Sequence, residues 1–502
     1  MNTTSVSISF FDFERNNMKN KFEAFHLSPE IVKALSTLHY MEPTEIQAKV
    51  LPVALDGKDL AAQSQTGSGK TAAFGIPICE NAVWEENRPQ ALVIEPTREL
   101  TVQVKEELFI IGRYKRLKVP DLFGGFPIDK QILSLKQKSH IVVGTPGRLL
   151  DHVQRGSLDL TCIKTLVIDE ADLMLDMGFI GDVKQILKEL PVCQIMLFSA
   201  TLEDGLQELM QECMKEPVTI NIETHVKTVE KIEQSIQCIP GDEEERAHTK
   251  YHAFLNTLIR ENPESCIIFC GTREMANVLC RKLGRDGVTC GVLHGDIEQQ
   301  DRLRTIDGFR QGKFRYLIAT DVAARGIDFP NLPLVLNYDF PTGKEAYVHR
   351  IGRTGRNGEP GKAVSFMTES DIKMRQMIEE YIHLEIPETK IPEVTEEERK
   401  LFFETQKEKR KLKKRKGAEF RQSIMKLTIS GGKKSKMRAG DVVGTICSID
   451  GITVDDIGVI DVRDSLTYVD IMNGKGRKVL EALQKKTIKG KIRKVRESKR
   501  DR

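Results

Sequence analysis

The sequence has no run approaching about 18 consecutive apolar residues, which excludes a membrane-spanning helix. Its first residues, MNTTSVSISFFDFERNN, lack the basic stretch, apolar core and small-residue cleavage site of a secretion signal, so export is not expected. There is no Cys-x-x-Cys pair among the ten cysteines, which argues against a zinc site or a disulfide framework. Most cysteines lie in apolar strand-like runs such as CIIFC (266–270), the pattern of buried free thiols in a reducing, cytoplasmic setting. Aromatics make up only 6% of the chain, and the net charge is only +3.

That near-neutral charge is an average of two opposed parts. Residues 407–502 hold 28 Lys/Arg against 12 Asp/Glu, whereas residues 1–406 hold 48 against 61. An acidic body therefore carries a basic tail, which suggests a polyanionic partner at the C-terminus. A solvated tail with no specific partner would show the same composition. The length of 502 residues fits about three domains.

Between residues 59 and 223, apolar runs alternate with longer helical stretches: DLAAQS (59–64), ALVIEP (91–96), HIVVGT (140–145), TLVIDE (165–170) and IMLFSA (195–200). The pattern returns with CIIFC (266–270), GVLHG (291–295), YLIATD (316–321), LVLNYD (334–339) and AVSFMT (363–368). Such runs read as buried parallel strands in two α/β domains. The expected boundaries are an extension over 1–20, domains over 21–224 and 225–384, a charged linker over 385–432 and a small domain over 433–502. Within the linker, EEERKLFFETQKEKRKLKKR reads as partly helical. The last domain reads as strand 441–449, helix 454–458, strands 459–464 and 466–472, helix 476–484 and strand 491–496. That β-α-β-β-α-β order is a ferredoxin-like α+β plan.

AQSQTGSGKT (62–71) follows the first strand. Its glycines let backbone N–H groups curl round phosphates, Lys70 can reach the β/γ-phosphates, and Thr71 can hold Mg²⁺. Ser64 stands where the strict pattern has glycine, and alone the run would equally describe a turn opening a helix. The strand TLVI (165–168), however, runs straight into Asp169-Glu170-Ala171-Asp172. Carboxylates at that end of a parallel strand face the ligand crevice. Asp169 can then bind Mg²⁺, and Glu170 can orient or deprotonate the attacking water. Together the two motifs point to nucleotide hydrolysis.

These residues resemble motifs I and II of the DEAD-box RNA helicases. PTREL (96–100), GG (124–125), TPGR (145–148), SAT (199–201), IIFCGTRE (267–274), ATDVAARGID (319–328) and HRIGRTGR (349–356) resemble further motifs in the same order. The likeness covers about residues 20–370 and implies two tandem RecA-like domains that hydrolyse ATP with Mg²⁺. By this resemblance Gln65, Thr66, Gly67, Ser68, Gly69, Lys70 and Thr71 cradle the phosphates. Gln47 reads the adenine edge and Phe22 stacks on the base, although His39 and Glu45 depart from the usual pattern around them. Asp328 contacts the ribose, and Arg353 and Arg356 are arginine fingers. Ser199 and Thr201 couple the DEAD residues to His349. RNA is gripped by Thr97, Arg98, Gly125, Thr145, Gly147 and Arg148 on the first domain, and by Thr272, Arg273, Gly295, Thr320 and Asp321 on the second. Lys70 and the fingers lie on different domains, so hydrolysis requires cleft closure.

Residues 436–502 resemble the C-terminal RNA-binding domain of the DbpA-type DEAD-box helicases, an RRM-like fold. Only Tyr468 is available for stacking, so phosphate contacts fall to basic residues. The candidates are Lys433, Lys434, Lys436, Arg438, Lys475, Arg477, Lys489 and Lys491. The resemblance implies a monomeric cytoplasmic helicase, with no membrane partner, bound to a 23S-type ribosomal RNA hairpin in pre-large-subunit (50S) particles. The rival readings are an ATP-switched RNA clamp and a DNA helicase of the same superfamily.

Overall fold

The computed structural model describes residues 20–64, 67–222, 232–241, 243–324, 327, 329, 331–355, 360–408, 410, 412 and 423–498. Most of the expected extension over 1–20 and the join at 224/225 lie outside them.

The first domain is a seven-stranded sheet of β1 (Leu60–Gln63), β2 (Ala91–Ile94), β3 (Asp121–Leu122), β4 (Ile141–Gly144), β5 (Thr165–Ile168), β6 (Gln194–Ser199) and β7 (Val218–Asn221). The strand order is β3-β4-β2-β5-β6-β1-β7, and the pairings are parallel. Helices cover both faces, so the central strands must be apolar throughout, and β2, β4 and β5 are buried along their whole length. Phe74 and Phe198 pack on one face with ring centroids 5.3 Å apart. Leu166, Ile168 and Leu197 pack with Met174 and Ile186 on the other. The edge strands β3 and β7 lack such runs and did not announce themselves in the sequence.

The second domain comprises β8 (Ile232–Cys238), β9 (Cys266–Cys270), β10 (Cys290–Leu293), β11 (Tyr316–Thr320), β12 (Leu334–Asn337) and β13 (Gly361–Met367), ordered β10-β11-β9-β12-β13-β8 and paired in parallel. β8, with its many polar residues, is an edge strand that the apolar-run pattern did not reveal.

The segment expected as linker, 385–432, is only partly one. Thr389 N donates to Ile236 O at 2.8 Å, laying its start along β8. The helix Glu396–Lys407, capped by Thr395, buries Phe402 against Tyr316 of the second domain. Its far end, Met425–Ser430, is strand β14 of the third domain.

That third domain corrects the expected element order by one place. DVVGTICSI was expected to be a strand over 441–449, because of its β-branched residues. Instead, Ala439–Cys447 is a helix. Val442, Ile446 and Ile449 recur at helical spacing and are buried on one face, and the Asp441 carboxylate accepts from Arg438 N at 2.9 Å to cap the start. The first strand is β14, whose Leu427 and Ile429 face the core. β14 lies between β16 (Leu466–Ile471) and β19 (Val495–Glu497), with β15 (Ile457–Val462) outside β16, all antiparallel. The expected helix 454–458 shrinks to one 3₁₀ turn, Val454–Asp456. The expected strand 491–496 is divided between β19 and a small hairpin, β17 (Thr487–Ile488) with β18 (Lys491–Ile492). The helix Gly476–Leu483 completes the β-α-β-β-α-β plan.

The outer face of this sheet meets the first domain. Arg116 Nη2 donates to Val454 O at 2.7 Å, and Lys118 Nζ lies 3.7 Å from Asp461 Oδ1. The ten cysteines are all free thiols, but only Cys79, Cys266 and Cys270 are buried and Cys238 is exposed. Among the described residues no helix is long and apolar enough to cross a membrane.

Candidate active site and RNA interface

The expected first-domain residues emerge from one rim of the sheet. The P-loop follows β1, Thr97 and Arg98 follow β2, Gly125 follows β3, Thr145 to Arg148 follow β4, and Asp169 and Glu170 follow β5, while Ser199 ends β6. The C-terminal ends of parallel strands form the ligand crevice of such sheets.

The P-loop turns into the helix Lys70–Asn81 through Gly67 (φ 86°) and Gly69 (φ 98°), conformations that favour glycine. A Cβ on Gly69 would fall 2.6 Å from Gln47 Nε2. Ser64, the departure from the strict motif, fits because its N–H bonds Ser199 O at 2.9 Å and its hydroxyl lies 3.1 Å from that of Ser68. Thr71 follows Lys70 in the first helical turn and is half-buried. Gln65 and Thr66 lie outside the described residues, as do Asp328 and Arg356.

Lys70 Nζ is 2.6 Å from Glu170 Oε1 and 3.9 Å from Asp169 Oδ1, with all three side chains buried. Burial would push the Lys70 ammonium down, but Glu170 and Asp169 beside it hold it above the ordinary lysine value. Burial pushes Asp169 up to about 7, with Lys70 opposing and Glu170 adding to the rise. Glu170 sits at φ 50°, a left-handed conformation costly for a non-glycine residue and typical of functional sites. Asp172 holds the next motif: its N–H bonds Ser199 Oγ at 3.1 Å, and its carboxylate accepts from Ala200 N and Thr201 N at 3.1 and 3.2 Å.

A residue the sequence reading did not single out completes the cluster. Glu95 is fully buried, and neither of its carboxylate oxygens has a hydrogen-bond partner. Burial, and then Asp169 and Glu170, push its carboxyl well above the usual range. Three buried carboxyl groups thus lie near one ammonium, and the hard oxygens of Thr71 and Asp169 suit Mg²⁺.

Gln47 is buried and spans the entrance: its Oε1 accepts from Thr44 N at 2.9 Å and its Nε2 donates to Gly69 O at 3.1 Å. Phe22 does not present a free face to a base. It is fully buried in the first-domain core beside Phe25, with centroids 6.2 Å apart.

In the RNA-facing set, Thr97 and Thr272 cap the helices Arg98–Ile111 and Arg273–Arg285. Thr145 precedes the helix Pro146–Gln154, which begins with Gly147 and Arg148 in its first turn. Gly125 (φ 77°) lets Arg98 pass, since a Cβ there would fall 2.5 Å from Arg98 Nη1. Arg148 Nη1 bonds Gln131 Oε1 at 3.0 Å. Arg273 pairs with Asp296 at 2.7 Å, next to Gly295. Thr320 ends β11, and the Asp321 carboxylate is held by buried Arg350 at 2.5 and 2.6 Å. Arg350 also donates to Asp339 O at 2.7 Å, so Asp321 is locked into a polar network of the second domain. Arg353 is buried and donates to Ile327 O at 2.6 Å, and it lines a small cleft with His349 and Asp321. Thr201 Oγ1 donates to Glu203 Oε1 at 3.4 Å, while Asp172 of the DEAD box ties to Ser199 Oγ and Thr201 N; His349 lies on the helix Lys344–Ile351 of the second domain.

The two domains meet through Arg98, an expected residue, and through Glu99, Gln299 and Arg302, which the expected set lacked. Arg302 Nε donates to Glu99 Oε1 at 2.6 Å, Gln299 Nε2 donates to the same oxygen at 3.0 Å, and Arg98 Nη1 donates to Gln299 Oε1 at 3.3 Å. The spacing of Gln299 and Arg302, three apart on the helix Gln299–Arg310, was the available signal.

Residues 44–209 match the DEAD/DEAH box helicase family, 249–358 the helicase conserved C-terminal domain, and 426–497 the DbpA RNA binding domain. The chain is 49% identical over 477 residues to the ATP-dependent RNA helicase DbpA of Bacillus subtilis, covering 94% of this chain and 98% of that one. This chain belongs to the DEAD-box RNA helicases. As a DEAD-box helicase it hydrolyses ATP. It is also 43% identical over 361 residues to the ATP-dependent RNA helicase CshA of Listeria monocytogenes, covering 72% of this chain and 68% of that one. Among solved structures, S. cerevisiae Dbp5 bound to RNA and ADP BeF3 is similar, with a TM-score of 0.67 at 33% identity over 77% of this chain and 100% of that one.

In the helicase's tail, the structure gathers some basic candidates and separates others. Lys433, Lys434, Lys436 and Arg438 are exposed between β14 and the helix Ala439–Cys447. Lys489 of the exposed hairpin bonds Lys436 O and lies 3.5 Å from Asp441, which brings the two segments together into one basic edge. Lys491 is exposed in the same hairpin and Arg477 on the second helix. Lys475 is not free, because its ammonium bonds Asp456 Oδ2 at 2.7 Å and Gly451 O at 2.9 Å. Tyr468 lies on the outer sheet face, with the Arg463 guanidinium 4.6 Å above its ring.

Proposed function

We propose that this DEAD-box helicase remodels ribosomal RNA close to a hairpin held by its C-terminal domain, during assembly of the large ribosomal subunit in the cytoplasm. The observation that carries this reading is the basic edge of Lys433, Lys434, Lys436, Arg438, Lys489 and Lys491 on a domain that matches the DbpA RNA binding domain. Backbone phosphates are bound by such cationic surfaces, with salt-dependent affinity. The core supplies the generic grip: helix N-termini, hydroxyls and Arg side chains suit phosphate and ribose oxygens and carry no base code.

In the ATP site, Thr71 and Asp169 would hold Mg²⁺, which when bound neutralises phosphate charge and orients the β/γ-oxygens. Magnesium keeps several waters and takes few protein ligands. Lys70 bonds Glu170 at 2.6 Å. Arriving phosphates compete for Lys70 and release the Glu170 carboxylate to orient and deprotonate the attacking water. Arg353 and Arg356 supply positive charge from the second domain when the cleft is assembled. Asp328 contacts the ribose and Gln47 the adenine edge. Ser199, Thr201 and His349 link ATP state to RNA grip.

The test compares ATP hydrolysis stimulated by 23S-type ribosomal RNA, by generic RNA and by DNA, for the full chain and for a chain ending at residue 422. The full chain should prefer ribosomal RNA, and the shortened one should respond only to high concentrations of any RNA. A shortened protein that still selects ribosomal RNA would overturn the tethered reading, and equal stimulation by DNA would favour the rival reading, a DNA helicase of the same superfamily.

A further inference from the structure

The role of Glu95 goes beyond the reaction as described. β2 and β5 run parallel with Ile94 opposite Ile168, and Asp169 N donates to Ile94 O at 3.1 Å. The next residues, Glu95 and Asp169, therefore leave neighbouring strands side by side, about 4.8 Å apart, at the rim where phosphates bind. Glu95 N is itself fixed to Gly144 O at 2.9 Å. Its carboxylate has no exposure and no partner on either oxygen, and Lys70, the ammonium of the cluster, already serves Glu170 at 2.6 Å. Buried carboxylates are ordinarily paired, hydrogen-bonded or turned toward a metal site, and the register sets Glu95 beside Asp169, the residue expected to hold Mg²⁺.

We propose that Glu95 is a positioning residue for the cation of the ATP site, accepting hydrogen bonds from the waters that Mg²⁺ retains. It does not contact the metal and takes no part in the bond-breaking step. It adds a second carboxylate to a site that otherwise depends on Asp169, and so raises the affinity for Mg²⁺. Outer-shell partners of this kind alter metal affinity by about 10–100-fold. The inference rests on the reading that Thr71 and Asp169 hold Mg²⁺.

The experiment uses the full-length chain and its variants Glu95→Gln, Glu95→Asp and Asp169→Asn. Binding of a fluorescent ADP is titrated with MgCl₂, the same titration is read by RNA-stimulated ATP hydrolysis, and nucleotide binding is measured separately in EDTA. Glu95→Gln keeps the shape and removes the charge. It should raise the Mg²⁺ midpoint about tenfold in both titrations, with kcat at saturating Mg²⁺ and nucleotide binding in EDTA within about twofold of wild type. Glu95→Asp, which keeps the charge, should recover part of the shift. A residue that merely fills space would leave the Mg²⁺ midpoint of Glu95→Gln within twofold of wild type. That result, with Asp169→Asn still strongly shifted, overturns the role of Glu95 and leaves the metal site standing. An unshifted Asp169→Asn overturns the metal reading and the proposal together. Should Glu95→Gln not fold, Glu95→Asp and Glu95→Ala decide: equal midpoints for the two overturn the role, and a lower midpoint for Asp supports it.

Discussion

Arg302 of the second helicase domain donates to Glu99 of the first across 2.6 Å, with Glu99 buried and Arg302 partly buried. Glu99 is the residue after Arg98, so the contact joins the cleft at the RNA-facing rim. Removing Arg302 leaves the buried Glu99 carboxylate with only the Gln299 amide as partner, which weakens the contact between the domains. Arg302→Ala should therefore disfavour the joined arrangement. RNA-stimulated ATP hydrolysis should fall at least about tenfold, while ADP binding to the first domain changes little. The exchange Glu99→Arg with Arg302→Glu should recover part of the loss. Wild-type turnover in Arg302→Ala would show that the contact does not matter for the working state.

Glu170→Gln should bind ATP normally and hydrolyse it about 10²–10⁴-fold more slowly, the usual contribution of a general base. The variant keeps the shape beside Lys70 and removes the charge. Equilibrium nucleotide binding and steady-state phosphate release check it, and unchanged release would sink the assignment.

Arg353→Lys keeps a positive charge in the second domain but loses the planar fork that bonds Ile327 O. Hydrolysis should fall by about 10³, the lower end of the arginine-finger range, with fluorescent-ADP binding unaffected. Thermal unfolding separates this from damage to the fold, since a large drop in Tm would make Arg353 chiefly structural.

Lys475 should matter for stability more than for RNA. Asp456 is buried, which by itself would raise its pKa. Bonds from Asn473 and Lys475, with those from Thr453, outweigh burial and hold it at about 2. A carboxylate lowered from 3.8 in the folded state adds stability above pH 3.8 that is lost as the pH falls toward 2. Lys475→Ala should cost the C-terminal domain about 1–3 kcal/mol at neutral pH, and the difference from wild type should shrink in that acid window. Unfolding followed without RNA decides it, and an unchanged Tm would return Lys475 to the free RNA contacts.

How much could be read without the fold varies by element, for physical reasons. β2, β4, β5, β9 and β11 are continuous apolar runs because parallel strands are covered on both faces. The edge strands β3, β7 and β8 see solvent and carry no such mark. Residues 441–449 read as a strand because Val, Ile and Thr favour strands, but tertiary packing decided otherwise. Burying Val442 and Ile446 on one face against β15 and the hairpin outweighed that preference.

The sequence by itself determined the chemistry available: Lys70 in its P-loop, Asp169 and Glu170 at a strand end, Arg353 on the second domain and the basic tail. These are local, since a turn, a strand terminus and a charge run each need only neighbouring residues. The tertiary structure decided which groups are satisfied and which are not. It occupied Glu170 with Lys70, locked Asp321 to Arg350, buried Phe22, tied Lys475 to Asp456 and left Glu95 unpaired beside Asp169. Each of these depends on what residues far along the chain bring within about 3 Å, and on the burial that makes an unmet charge costly.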